Sequence, residues 1–217
     1  MKKTLSKKNL INYLSSQLSN FFPDEKHNDY LAKLDSSMED SLSRTEYCFS
    51  KINNKYFQND KKIIFNHLNG DQYAMFLYIL SNQIYLDSEH LDLATKIYLL
   101  NKYLHGIDAY YEVELPKIFI FIHPLGTVLG RAKYSDFLVV YQRCGVGDNK
   151  GNSPILGEYL TLHPGASIIG KSVIKKNCSI GSNSLVKDFE LAENKVFTGN
   201  PSSYKLFDNL KINQIWK

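Results

Sequence analysis

Cysteine is scarce in this chain: three residues, Cys48, Cys144 and Cys178, are spread over 217 positions. That is too few and too scattered for a disulfide framework or a zinc knuckle, and reduced thiols suit a cytoplasmic protein. Long apolar runs are also lacking, since no stretch reaches the roughly 18 residues of a membrane span. The opening MKKTLSKKNLINYLSSQ has the lysines of a secretory leader but not the apolar run that follows them in one. Nor is there a large excess of one charge. Lys and Arg number 26 against 22 Asp and Glu, a net charge of +4 without a dense basic stripe, which argues against a nucleic-acid partner. What remains is an ordinary globular composition, 43% hydrophobic with 12 Gly and 6 Pro, able to bury a sizeable core.

Two halves differ in period. From Leu10 to about Leu104 the apolar residues recur at helical spacing, as in Tyr73, Phe76, Leu77 and Leu80, and again in Leu93, Ile97, Leu100 and Leu104. Asp87-Ser88-Glu89 reads as a helix start, with acids near the positive end of the dipole. The charged stretch from Asn53 to Lys62 reads as a connection, and the half as four or five helices whose stripes form a core.

After Pro116 the helical period disappears. Steps of six from Ile122 meet Val128, Tyr134, Val140 and Val146, and the count resumes through Leu156, Leu162, Ile168, Ile174, Ile180 and Val186. Two places before most of these stands a small residue: Ala132, Cys144, Ala166, Ser172, Cys178 or Ser184. Such a double column fits a chain that turns a corner every six residues, with three faces to a coil and coils stacked as parallel strands. Gly147, Gly157 and Gly181 fall where a corner could require an unusual backbone angle. Cys144 and Cys178 belong to the small-residue column, as core residues rather than reactive thiols. The fold class that follows is α + β: a helical domain over residues 1–107, a parallel β-helix over 108–205, and a tail over 206–217. The polar insertion Gly147–Pro154 interrupts the count by four residues, and loops on rigid scaffolds are where binding residues often sit.

Histidine is the natural general base near neutral pH. His27, His67 and His90 have no evident partner in the helical half, and His105 stands at a helix end, where a cation is also welcome structurally. His123 and His163 each follow an inward aliphatic. If the insertion preserves register, they share a prism face two coils apart, roughly 10 Å from one another, with Tyr141 between them. A solvated ladder with no function has the same pattern. Three converging histidines, as a metal-dependent hydratase would need, are not available in the repeat.

The segments HPLGTVLGRA (His123–Ala132), LGEYLTLHPGASIIG (Leu156–Gly170), CSIGSNSLV (Cys178–Val186) and TGNP (Thr198–Pro201) resemble the serine acetyltransferases, which are hexapeptide-repeat acyltransferases. The resemblance implies a left-handed β-helix, a homotrimer that could pair into a dimer of trimers, acetyl-coenzyme A as donor and no metal. It implies that His123 is the catalytic base and that Asp108, fifteen residues earlier, orients it. In such a dyad one imidazole nitrogen takes the proton of an attacking hydroxyl while the carboxylate fixes the other nitrogen's hydrogen. The resemblance also places coenzyme A along the later coils, at Gly165, Ala166 and Ser184, with Lys205 near a phosphate. Acceptor contacts fall to Tyr141, His163, Asn152 and Ser153.

Two departures bear on the acceptor. The family carries an aspartate directly before the catalytic histidine, where this chain has Ile122. It carries an Arg-His pair in the extended loop, where this chain has Asn152-Ser153. Those are the groups that would hold a zwitterionic amino acid, and a site loses heavily when ionic partners are deleted. The first expectation is therefore an O-acetyltransferase acting on a sugar in surface-polysaccharide assembly. A serine O-acetyltransferase with compensating charges at Asp108, Arg131 or Arg143 is the second. A silent scaffold that binds a partner enzyme through the helical half is the third.

Overall fold

The computed structural model describes residues 1–24, 27–59, 62–87 and 90–217, with the backbone alone for 27–29. Among them are four helices: α1 (Lys7–Phe21), α2 (His27–Ser50), α3 (Gly70–Asp87) and α4 (Leu91–His105). Helix α1 starts where the Ser6 side chain accepts the Asn9 N–H at 3.2 Å. Helix α4 ends at Gly106, whose φ of 63° is the left-handed cap that glycine adopts without a Cβ clash. Of the expected helix start at Asp87–Glu89, Ser88 and Glu89 lie outside the described residues. The 53–62 connection includes the short strand Gln58–Asn59, which pairs with Lys62–Phe65, while the strand Lys2–Lys3 flanks the latter.

Helix α3 is buried nearly all round, not on one stripe: Tyr73 to Asn82 are all buried. Its polar members are satisfied. Gln72 donates to the Tyr56 carbonyl and Asn82 to the Tyr111 carbonyl. In α4, Leu93, Ile97 and Leu100 are buried as expected, whereas Leu104 stays partly exposed.

From Ile107 the chain winds into a parallel β-helix of three sheets. The first stacks Phe119–Phe121, Leu138–Val140, Thr161–Leu162, Ser179–Ile180 and Lys195–Asn200, and Ser203–Asp208 adds to it antiparallel. The second stacks Ile107–Ala109, Thr127–Leu129, Gly145–Gly147, Ser167–Ile169 and Leu185–Lys187; the third stacks Ile155–Leu156, Val173–Ile174 and Glu190–Leu191. The predicted count holds from Val140 onward. Val140, Leu162 and Ile180 align in the first sheet, Val146, Ile168 and Val186 in the second, and Leu156 and Ile174 in the third. All are at most 2% exposed, each worth roughly 1.5–3 kcal/mol of hydrophobic stabilisation. The insertion between Val146 and Leu156 leaves this register intact.

The first coil departs from the count. There the buried residues are Phe121 and Leu129, while Ile122 is only half-buried and Val128 is 50% exposed. The corner after Phe121 holds two residues more than the corners after Val140, Leu162 and Ile180. Positive φ falls at Gly126, five places on, against Arg143, Gly165 and Asn183, three places on. The expectation for glycine corners also changes. Gly147, Gly157 and Gly181 have no positive φ; the tight turns are made by other residues, among them Tyr159, Asn177 and Asn194. At Gly157 the need is for close approach, since a Cβ would lie 2.8 Å from the Lys175 carbonyl carbon.

The halves are tied together at the first coil. Tyr78 Oη donates to the Val113 carbonyl at 2.6 Å, and Cys48 Sγ to the Phe119 carbonyl at 3.1 Å. The C-terminal tail returns along the edge marked by Asn194, Asn177, Tyr159 and Phe137. Asn209 bonds Asn194 and Asn177, Asn213 donates to Thr161 Oγ1, and Trp216 is buried against Phe137.

Candidate active site

His123 is the second residue of the enlarged corner. Its φ is 51° and its side chain is 79% exposed. The two added residues carry it out of the regular column: Phe121 aligns with Val140, so Ile122, not His123, stands beside Tyr141. The expected His–Tyr–His ladder is therefore a Tyr141–His163 pair, with ring centroids 5.8 Å apart and planes 13° from parallel. His123 occupies the corner above them. Burial holds the His163 imidazole below its ordinary pKa, so it is neutral at pH 7.

Asp108 does not meet His123. It lies in the strand beside Val128, where its Oδ1 accepts from Tyr98 Oη at 2.7 Å and its Oδ2 from Lys102 Nζ at 2.6 Å. Burial alone would raise its pKa, but those two hydrogen bonds and the lysine charge outweigh burial and hold it below the usual carboxylate range. The carboxylate at His123 belongs to Asp71, in the first turn of α3. Its Oδ1 accepts the His123 backbone N–H at 2.9 Å and lies 3.8 Å from the imidazole Nδ1. Among the described residues it is the only carboxylate within 4 Å of a nitrogen of that ring. Burial pushes the Asp71 carboxyl up, and the His123 contacts partly offset it. Sequence reasoning missed Asp71 because it is 52 residues upstream of His123. Its only local sign is Asn69-Gly70-Asp71 at a helix start.

The other expected residues divide between edges of the prism. Tyr141, His163 and Gly165 share the edge of His123, as does Arg143, which is exposed one coil below. Gly165 has a φ of 78°, and a Cβ there would come within 2.3 Å of Asn183 Oδ1. Ala166 and Ser184 are buried, and Ser184 Oγ already accepts the Gly199 N–H, so neither side chain is free to meet a ligand. What they allow is close approach to the backbone. Lys205 is exposed opposite Thr198 in the terminal hairpin. Asn152 and Ser153 sit in the insertion between the second and third sheets, a different edge from His123, where Asn149 and Asn152 close a turn by mutual backbone bonds. Within one chain they do not join the site.

No family model matches the chain. In fold it is similar over nearly its whole length to a serine acetyltransferase from Brucella abortus: TM-score 0.73, 13% identity, 95% of this chain and 85% of that one. A serine acetyltransferase solved in complex with CoA matches with a TM-score of 0.69 and 15% identity, over 89% of this chain and 83% of the other. The class is thus a helical domain followed by a left-handed hexapeptide-repeat β-helix. In sequence the chain is similar to the serine acetyltransferase of Staphylococcus epidermidis, 26% identical over 119 residues, covering 52% of this chain and 55% of the relative. It spans about half the length of the curated relatives it matches, and it is serine acetyltransferase-like in both sequence and fold.

Proposed function

We propose that this chain is an acyltransferase that moves an acetyl group from acetyl-coenzyme A to a hydroxyl, with serine as the acceptor. The observation that carries the reading is His123: an exposed imidazole at the mouth of the first coil, in a chain similar to serine acetyltransferases. Departures at Ile122, Asn152 and Ser153 pointed to a sugar. The relatives and neighbours reported above are all serine acetyltransferases. The exposed Arg143 guanidinium on the same edge is the group available for an acceptor carboxylate.

In this reading His123 removes the hydroxyl proton as the oxygen attacks the thioester carbonyl, giving a tetrahedral intermediate. Collapse forms the ester and expels the coenzyme A sulfur, which takes the proton back from the imidazolium. Tyr141 and the neutral His163 line the approach one and two coils below. The donor lies along the later coils past Gly165, and the homotrimer implied by the resemblance belongs to the same reading.

The test is release of free coenzyme A, followed with a thiol reagent, with serine against a panel of nucleotide sugars and polysaccharide repeats. Background from the protein is expected to be small, because all three thiols are buried and burial pushes Cys48 up to about 12, Cys144 to about 11 and Cys178 above its ordinary value. Turnover on serine, lost in His123→Ala, is the expected result. Turnover on sugars alone would restore the sugar reading, and turnover on serine that survives His123→Ala would remove His123 as the base.

A further inference from the structure

We propose that Asp71, and not Asp108, is the positioning carboxylate of His123. The inference rests on the acyltransferase reading for its purpose but on geometry for its content.

A general base of this kind needs its imidazole held in one tautomer, with the lone pair facing the acceptor and the hydrogen on the far nitrogen bound to an anion. Asp108 is engaged elsewhere, one oxygen by Tyr98 and the other by Lys102. Asp71 has no lysine or arginine within 4 Å among the described residues; its charge faces His123 alone. It already grips that residue through the backbone N–H, and a small rotation of the exposed ring closes the 3.8 Å gap to Nδ1 into a hydrogen bond. The carboxylate itself is held from two sides. It stands on the first turn of the 18-residue α3, where the helix dipole favours an anion, and its side chain is only 23% exposed. The helical half thus completes a site whose base belongs to the β-helix, which gives the domain contact a chemical role. With Nδ1–H donated to Asp71, Nε2 is left free to accept the hydroxyl proton.

A merely structural role, with Asp71 stabilising the start of α3 and the corner backbone, would not fix the ring. The full-length protein carrying ¹⁵N-labelled histidine separates the two. At about pH 8, where an imidazole is neutral, long-range ¹H–¹⁵N spectra report which ring nitrogen carries the hydrogen; the His123 signals are identified by their loss in His123→Ala. The expected result is a predominant Nδ1–H form in the wild type, a shift toward the Nε2–H form in Asp71→Asn, and no such shift in Asp108→Asn. Asp71→Glu, which keeps the charge, retains the wild-type form and serves if the asparagine variant fails to fold. On serine, Asp71→Asn lowers kcat about tenfold or more with KM little changed. An unchanged tautomer in Asp71→Asn, or one shifted by Asp108→Asn instead, overturns the assignment. If the wild type transfers no acetyl group but the tautomer follows Asp71, the positioning stands and the acyltransferase reading fails.

Discussion

Trp216 offers the sharpest test of how the two halves are held. The tail's last residues join the helical domain by backbone bonds, from Asn53 N–H to the Ile215 carbonyl at 2.6 Å and from Lys217 N–H to the Lys51 carbonyl at 3.0 Å. The indole, 6% exposed, packs edge-on to Phe137 with centroids 5.6 Å apart. Truncating a buried tryptophan to alanine costs about 3–5 kcal/mol. Yet the indole Nε1–H is buried without a hydrogen-bond partner among the described residues, and an unsatisfied donor costs about 1–3 kcal/mol. Trp216→Ala removes that cost along with the packing, so its net effect is about 2 kcal/mol. For a chain of this size that lowers Tm by about 4–8 °C. Trp216→Phe keeps most of the packing and removes the donor, and its stability stays within about 1 kcal/mol of the wild type. Urea and thermal unfolding followed by circular dichroism measure both. Equal destabilisation by Phe and Ala would refute the reasoning, because the indole N–H would then have to be making a favourable bond. A silent Trp216→Ala would mean that the tail does not fasten the halves at all.

Two further predictions concern the backbone and a buried base. Gly157→Ala places a methyl 2.8–2.9 Å from backbone atoms of Lys175 and Ile174 in the next coil and is expected to cost about 1–3 kcal/mol, whereas Gly147→Ala meets nothing within 4 Å and should be neutral or stabilising by less than about 1 kcal/mol; urea midpoints of the pair decide it. His105 is pushed down to about 4 by burial against Tyr73 and Asn101. Its unfolded value is about 6.5, so the unfolded chain binds the extra proton between those limits and stability falls as pH drops from about 6.5 toward about 4. His105→Gln should flatten that fall, and urea midpoints at several pH values across the window check it.

The solenoid was legible from Val140 onward because each coil repeats one physical demand, an inward aliphatic with a small residue two places before it. Helix α4 was legible for the same reason at a period of 3.6, whereas the stripe expected for α3 is part of a helix buried nearly all round. The first coil was not, since an enlarged corner breaks the step without leaving any composition signal: Ile122 and Val128 are as apolar as the true interior residues Phe121 and Leu129. Asp71 was hidden by distance along the chain. Its value comes from the docking of α3 on the β-helix, which no local pattern encodes. The tail's course was equally hidden, because LKINQIWK has no period, and Trp216 finds its place only once Phe137 and the α2 end are assembled. The resemblance placed His123 at the site, but its companion acid came from three-dimensional packing.

Left-handed backbone is common here and by itself says nothing about function. Among the described residues, nine non-glycine residues have positive φ, and most of them recur at matching corners: Phe137, Tyr159, Asn177 and Asn194 on one edge, Arg143 and Asn183 with Gly126 and Gly165 on another. Such conformations cost free energy, and the stacked coils over-determine them. His123 is different because no residue at the matching place in lower coils shares its conformation. Gln142, Pro164 and Ser182, which stand two after the inward Val140, Leu162 and Ile180 as His123 does after Phe121, all have ordinary φ. The kink at His123 therefore cannot be held by the repeat and needs a hold from outside it. The Asp71 carboxylate on the His123 N–H supplies that hold, and the same contact leaves the imidazole exposed with an anion behind it. A solenoid of equivalent steps offers no privileged place for chemistry; this one acquires such a place where its period fails and the helical domain takes over the restraint.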